Sequence, residues 1–430
     1  MSHPVPAHLP RRSVLFGAAA AGLAIPAVLP GLSAHAATAT ATAASRPLRF
    51  VLDATVLDGG EQVTSVTLDT SGLAAIDPAS LTTETFAVHA TSTSPIPLGE
   101  GERMFGLYDV DREVVAARFD SRGDIVLDLR TAEGLAGGGT LGYFANRGRN
   151  VQLDLEYTIT QQAPLRQGDG SPLTFASFRQ GRLRDREVDA FSYHVSKSDM
   201  KYRLYSPATT SKAKKPLIVW LHGGGEGGSL VDDYYDNETT LRANRGALGF
   251  ATEEAQRIFG DAYVVAPQAF SFWIEDGDRY APLIKEIVDE VARQHRVDRD
   301  RIYVAGCSNG GFMTLKLTAL YKGLFAASVP ICGVVQPFGP SGVRLVTDRE
   351  LRGITTPTWL VTSLDDTTVA PEPNTVLASQ LIPGAKKTLY ENVTWNGYRY
   401  SGHWSWIYVA RNDPRMGNTS IWQWMARQER

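Results

Sequence analysis

Two regimes of hydrophobic patterning divide the chain. From about Arg46 to Thr160, apolar and polar residues alternate over short runs. Examples are Val63-Thr64-Ser65-Val66-Thr67-Leu68, Ile125-Val126-Leu127-Asp128-Leu129 and Val151-Gln152-Leu153-Asp154-Leu155. A period of two puts successive side chains on opposite faces of a strand. Gly, Asp and Pro punctuate the runs, and no long 3.6-residue pattern interrupts them. The pattern predicts a small all-β sandwich of immunoglobulin type over 46–160. It would lack the inter-sheet disulfide of antibody domains, because it contains no cysteine.

From Phe191 onward the pattern changes. Leu217-Ile218-Val219-Trp220-Leu221 and Ile302-Tyr303-Val304-Ala305 are continuous apolar runs, the signature of strands buried on both faces. Between them, Ala281 to Val291 repeats apolar residues at i, i+1, i+4, i+5 and i+8, one face of a helix. Strands alternating with helices predict an α/β region, 173–430, with a mostly parallel sheet covered on both sides. The stretch 161–172, with Pro164, Gly168, Gly170 and Pro172, is the expected linker.

The first 36 residues read as an address. Arg11-Arg12-Ser13-Val14-Leu15 resembles a twin-arginine motif, an alanine-rich apolar stretch runs from Val14 to Leu32, and Ala34-His35-Ala36 offers a small-x-small cleavage site. The expectation is a bacterial secreted protein whose signal is removed near Ala36. Pro26 and Pro30 interrupt the apolar stretch, and no other segment has the length to span a bilayer, so no stable membrane anchor is expected. The 430 residues, 43% hydrophobic and 21% charged, suffice for two cores. A formal net charge of -3, with no basic cluster interleaved with aromatics, excludes nucleic acid as a partner. His, Cys and carboxylates do not fall at metal-ligand spacings, so neither a metal nor another cofactor is expected.

The candidate chemistry centres on Ser308. It lies in Gly306-Cys307-Ser308-Asn309-Gly310, between a buried-strand run and a helix-like stretch beginning at Gly311. Strand, G-x-S-x-G, helix is the context of a nucleophile elbow: the glycines let strand and helix approach while a strained turn lifts the hydroxyl clear of the sheet. Only one of the 8 His, His403, follows Ser308. With the order nucleophile, acid, histidine, it is the candidate base. Asp365 and Asp366 directly follow the strand-like run Thr358 to Thr362, where an acid would be needed to hold the imidazole. Asp366-Thr367-Thr368-Val369 resembles the D-x-x-V of many α/β-hydrolases and selects Asp366. Upstream, the strand run ending at Leu221 leads into His222-Gly223-Gly224-Gly225-Glu226-Gly227-Gly228. Backbone N–H groups of Gly224 or Gly225, together with that of Asn309, are the expected oxyanion donors. His222 reads as a structural loop residue. No Gly-Lys-Ser/Thr follows the glycines, so they do not read as a phosphate loop. Trp273 and Trp404 are candidates for the substrate-binding wall.

These motifs resemble a known group. The string Asp300-Arg301-Ile302-Tyr303-Val304-Ala305-Gly306-Cys307-Ser308-Asn309-Gly310-Gly311 is similar to the elbow of bacterial secreted esterases, often described as predicted peptidases. Leu221 to Gly228, Ala266-Pro267-Gln268 with Trp273, and Ile421-Trp422-Gln423-Trp424 are similar too. The resemblance implies an α/β-hydrolase fold over roughly 188–430, in some members behind an immunoglobulin-like domain. It implies cleavage of a carboxylic ester, small or polymeric, through an acyl-enzyme. A serine peptidase acting on short peptides is the alternative, and a non-catalytic binding protein on a hydrolase scaffold is a third reading. Many relatives have Met or Ala where this chain has Asn309. Finally, Cys332 ends the run Ala326 to Ile331, expected as the strand beside Cys307. A secreted location permits oxidation, and these are the only 2 cysteines, so a Cys307–Cys332 disulfide is expected, with two buried free thiols packed as small apolar groups as the alternative.

Overall fold

The computed structural model describes residues 46–229, 234–336 and 343–430, and the backbone of Thr42–Ala44. The expected export signal lies outside the described residues. Residues 41–430 form one compact unit.

The N-terminal part is built almost wholly of strands. Leu48–Leu57, Gly60–Leu68, Ile125–Leu129 and Val114–Phe119 assemble with Phe178–Arg184 into a five-stranded sheet. Phe86–Thr93, Asp109–Arg112 and Asp154–Gln161 form a three-stranded sheet. The alternating apolar positions of both sheets meet in one core: Phe50, Leu52, Val66 and Leu127 from the first, Val88, Tyr157 and Ile159 from the second. The stretch 161–172 is not a free connection. Its prolines and glycines turn a hairpin in which Leu165–Arg166 pairs with Pro172–Phe175, closed by Gln167 N donating to Ser171 O at 2.8 Å. The chain then returns to the first sheet, where Phe178–Arg184 runs parallel to Leu48–Leu57. The β region therefore continues to Arg184. Turn residues inside a hairpin and in a linker look alike in sequence, and only strand pairing tells them apart.

The second part carries an eight-stranded sheet. In chain order its strands are β1 (Phe191–Val195), β2 (Lys201–Tyr205), β3 (Lys215–Leu221), β4 (Tyr263–Pro267), β5 (Val297–Cys307), β6 (Ala327–Ile331), β7 (Trp359–Ser363) and β8 (Lys386–Tyr390). Their order across the sheet is β1-β2-β4-β3-β5-β6-β7-β8. β2 is antiparallel to both neighbours, and every later pairing is parallel. Both faces are covered. Along β3, Ile218 and Trp220 enter one core, while Leu217, Val219 and Leu221 enter the other; β5 splits Tyr303 and Ala305 from Ile302 and Val304 in the same way. This accounts for the unbroken apolar runs. Helix α1 (Gly277–Gln294) buries Tyr280, Ala281, Ile284, Ile287, Val288 and Val291 on the second face. Helix α2 (Asn309–Leu320) follows β5 directly. No helix among the described residues is long and apolar enough to cross a membrane.

Three arginines of the α/β part latch the β region to it. Arg411 forms a two-pronged pair with Asp58, both bonds at 2.9 Å. Arg242 reaches Glu61 at 2.5 Å, and Arg245 donates to Val56 O and Glu187. Burial raises the Glu61 carboxyl to about 7, against the opposing pull of Arg242 and Thr140.

Candidate active site

The site gathers where the parallel strands end at their carboxyl edge, the usual place for chemistry on such a sheet. Ser308 stands between β5 and α2 with φ 54 and ψ −114, a conformation rare for a residue with a Cβ. Strain of this kind costs on the order of 1–3 kcal/mol and persists only where the surroundings enforce it. Here they do. Ser308 N donates to Ile331 O at 2.8 Å. A Cβ on Gly306 would meet Gly310 O at 2.6 Å, one on Gly310 would meet His222 O at 2.5 Å, and one on Gly311 would meet Gly333 Cα at 2.6 Å. The glycines thus let α2 press against β5 and the loops after β3 and β6.

The loops after β7 and β8 bring two more side chains to the serine. His403 lies in a short 3₁₀ turn, Gly402–Trp404. Its Nε2 is 2.9 Å from Ser308 Oγ, and its Nδ1 is 2.8 Å from Asp366 Oδ2. Asp366 is buried, and its other oxygen, Oδ1, accepts from Thr368 N at 2.9 Å and Val369 N at 2.8 Å. An ionised carboxylate only accepts, so Nδ1 carries the ring proton and Nε2 is free to accept from the serine hydroxyl. Burial opposes charge on the ring, while the Asp366 carboxylate at Nδ1 favours it and stabilises the imidazolium that forms when Nε2 takes the serine proton. Asp365 does a different job. It bonds Ser363 Oγ and pairs with Arg399 at 2.6 Å, bracing the loop that carries the histidine.

The glycine loop after β3 forms a 3₁₀ turn, Gly224–Glu226. Gly224 heads this turn and Asn309 heads α2, positions whose N–H groups have no partner within their own helix. Gly223, Gly224, Gly225, Ser308, Asn309 and His403 all line one cleft of about 830 Å³. His222 is behind it: Nδ1 lies 2.6 Å from Gly223 O, Nε2 accepts from Ala269 N at 2.9 Å, and burial lowers its pKa to about 4. It is a neutral strut. Glu226 is a buried carboxyl on this loop, raised to about 7 by burial against the backbone N–H groups that bond it.

Two expectations change. Trp273 is fully buried, donates from Nε1 to His222 O at 3.1 Å, and packs tilted against the His222 ring with centroids 4.8 Å apart. It supports the glycine loop from behind, and its neighbours Phe272 and Ile274 line the cleft instead. Trp404 does line the cleft, as does Trp406. The expected Cys307–Cys332 disulfide is not formed: both cysteines are free and buried. Cys307 is level with Ile331, not Cys332, in the sheet register, and its Sγ faces the Gly223 side. Cys332 turns its sulfur toward Asp366 and His403.

One wall of the cleft was not foreseen. Asp58, Gly59, Tyr143, Gly148 and Asn150 of the β region line it together with the residues of the α/β part. No motif in the N-terminal sequence marks these positions.

Comparisons with known proteins bear on this geometry. The Esterase PHB depolymerase family model matches residues 200–353. That segment contains Gly224, Gly225, Ser308 and Asn309 but ends before Asp366 and His403. Over 134 residues the chain is 39% identical to poly(3-hydroxyalkanoate) depolymerase C of Paucimonas lemoignei, covering 28% of each protein. Over 172 residues it is 30% identical to a protein of Nocardia uniformis subsp. tsuyamanensis provisionally named esterase NocK, covering 40% of this chain and 48% of that one. The chain thus matches less than half the length of either relative. The crystal structure of a thermostable esterase superimposes with a TM-score of 0.71 at 24% identity, covering 89% of this chain and 99% of that one. That likeness establishes a shared fold, the α/β-hydrolase fold with strands ahead of it. The matched family and both relatives carry the names of esterases or depolymerases.

Proposed function

We propose that the protein is a serine hydrolase of carboxylic esters that works through Ser308, His403 and Asp366 and an acyl-enzyme. The observation that carries this reading is the continuous line of hydrogen bonds from Asp366 Oδ2 through His403 to Ser308 Oγ, opening on a cleft beside the amides of Gly224, Gly225 and Asn309. His403 Nε2 takes the hydroxyl proton as Ser308 Oγ attacks the ester carbonyl. The carbonyl oxygen gathers negative charge against the amides, and Asp366 holds the ring oriented and stabilises the imidazolium. His403 then gives the proton to the leaving alcohol. Water repeats the sequence on the acyl-enzyme and regenerates the serine.

A cleft of about 830 Å³ has room for more than a small acyl group. This supports a substrate with bulk on one side of the ester bond, and the names of the matched family and of the Paucimonas relative support a polymeric ester among the candidates. The same reading takes the protein to be exported by the twin-arginine route with its signal removed near Ala36. It takes the N-terminal strands to be an immunoglobulin-like sandwich, which runs to Arg184.

The test is a panel of nitrophenyl acyl esters of rising chain length, an emulsified polyester and aminoacyl nitroanilides. Ester turnover that is abolished by Ser308→Ala is expected. Efficient anilide cleavage without ester turnover would make the protein a peptidase, and turnover on neither would favour a binding role.

A further inference from the structure

The loop after β6 brings a thiol to the site that the acyl transfer does not use. Cys332 follows β6 directly, is fully buried and holds φ 39. Its Sγ, an oxygen of Asp366 and a ring nitrogen of His403 lie within 4.8 Å of one another. Thiol, imidazole and carboxylate are the donors that bind Zn²⁺, which in open sites takes three protein ligands and keeps a fourth position for water. Ligand atoms around such an ion stand about 3.3–3.7 Å apart. His403 Nδ1 and Asp366 Oδ2 are now 2.8 Å apart, so a modest parting of ring and carboxylate would admit the ion. One thiolate and one carboxylate cancel the charge of a divalent cation, which suits a site where uncompensated charge is costly. Access is through the cleft, which His403 lines together with Val334 and Thr368, near neighbours of Cys332 and Asp366.

We propose that Cys332, Asp366 and His403 form an inhibitory site for a thiophilic divalent cation of the Zn²⁺ class. The proposal rests on the triad reading above. On binding, the cation takes Cys332 Sγ as thiolate, and the thiol proton leaves to solvent. It bonds Asp366 Oδ2 and His403 Nδ1, and the Nδ1 proton moves to Nε2. The ring stays neutral but becomes the wrong tautomer. Nε2 now carries hydrogen and cannot accept the Ser308 proton, so the base is lost without any change to the serine. The three ligands sit on the loops after β6, β7 and β8, far apart in the chain, which is why metal-ligand spacing in the sequence shows nothing.

The chain's only other cysteine makes the test specific. Hydrolysis of a short nitrophenyl ester by the full chain is titrated with ZnCl₂ and then with a chelator. Cys332→Ala, Cys332→Ser and Cys307→Ser are each normalised to their own metal-free rate. Micromolar Zn²⁺ should inhibit reversibly. Either change at Cys332 should raise the half-inhibitory concentration at least about tenfold, and Cys307→Ser should not move it. In parallel, Cd²⁺ is titrated into the Ser308→Ala protein and the ultraviolet thiolate-to-cadmium absorption is followed. The band should disappear with Cys332→Ser and persist with Cys307→Ser. Unchanged sensitivity in both Cys332 variants, no inhibition at millimolar Zn²⁺, or a band that depends on Cys307 would overturn the proposal. If the metal-free protein turned over no ester, the hydrolase reading would fail, and the cadmium band would still decide the site.

Discussion

Replacing Asp366 by Asn tests the catalytic reading at its most specific point. The side chain keeps its shape, but its two outer atoms are no longer equivalent. Oδ1 accepts from two backbone N–H groups, at 2.9 and 2.8 Å, and Oδ2 accepts from His403 Nδ1 at 2.8 Å. The Asn carbonyl must take the Oδ1 position, because an amide NH₂ there would face two donors. The NH₂ then faces His403 Nδ1 and forces that nitrogen to accept. The ring proton shifts to Nε2, 2.9 Å from Ser308 Oγ, and the base is blocked. The same exchange in a well-studied Ser-His-Asp hydrolase lowers kcat about 10⁴-fold. That corresponds to about 5.4 kcal/mol of barrier, and a similar loss is expected here. Asp365→Asn removes a half-exposed pair with Arg399, worth at most about 1 kcal/mol, and should cost a few-fold. Asp366→Asn keeps both backbone hydrogen bonds, so its melting temperature should stay close to that of the wild type. Steady-state hydrolysis of a short nitrophenyl ester and thermal melts read both quantities. An Asp366→Asn enzyme that keeps more than about a tenth of kcat, or an Asp365→Asn enzyme that is equally crippled, would refute the assignment.

Three other changes probe the surroundings. Gly310→Ala would drive a methyl group into the carbonyl oxygens of Leu221 and His222, backbone atoms that cannot step aside, so the melting temperature should fall by about 2 °C or more or the protein should fail to fold; a near-native melt would show that the elbow has slack. Glu226 has its carboxyl raised from 4.5 to about 7 by burial, so the fold binds its proton more tightly than the unfolded chain does, and stability falls as pH rises through that window. Glu226→Gln removes this penalty, which is on the order of 3 kcal/mol, and its melting temperature relative to wild type should be more favourable at pH 8 than at pH 5; the opposite trend would mean that the carboxylate is stabilised where it sits. Tyr143→Ala opens the cleft wall supplied by the β region and should lower kcat/KM for long acyl esters several-fold more than for acetate; equal losses would show that Tyr143 does not meet the acyl chain.

The chain's pattern determined a good deal by itself. The unbroken apolar runs at 217–221 and 302–305, bounded by turn residues and too short for helices, read as strands buried on both faces, and Gly306, Gly310 and Gly311 marked the tight turn around Ser308. The single histidine after the nucleophile left one candidate for the base, and the structure sets it within hydrogen-bonding distance of Ser308. These features are local, or follow from chain order, so they survive translation into sequence. What the sequence could not decide depends on where side chains point and on which distant segments meet. Trp273 and Phe272 are adjacent and both aromatic, yet one props the glycine loop while the other lines the cleft. The turn residues of 161–172 read as a linker until strand pairing drew them into a sheet. Cys307 and Cys332 come at the ends of neighbouring strands, but they are one residue out of level and both thiols are free. The cleft wall from the β region and the convergence of Cys332 on Asp366 and His403 arise only when the loops fold together, because residues far apart in the chain carry no spacing that announces their contact.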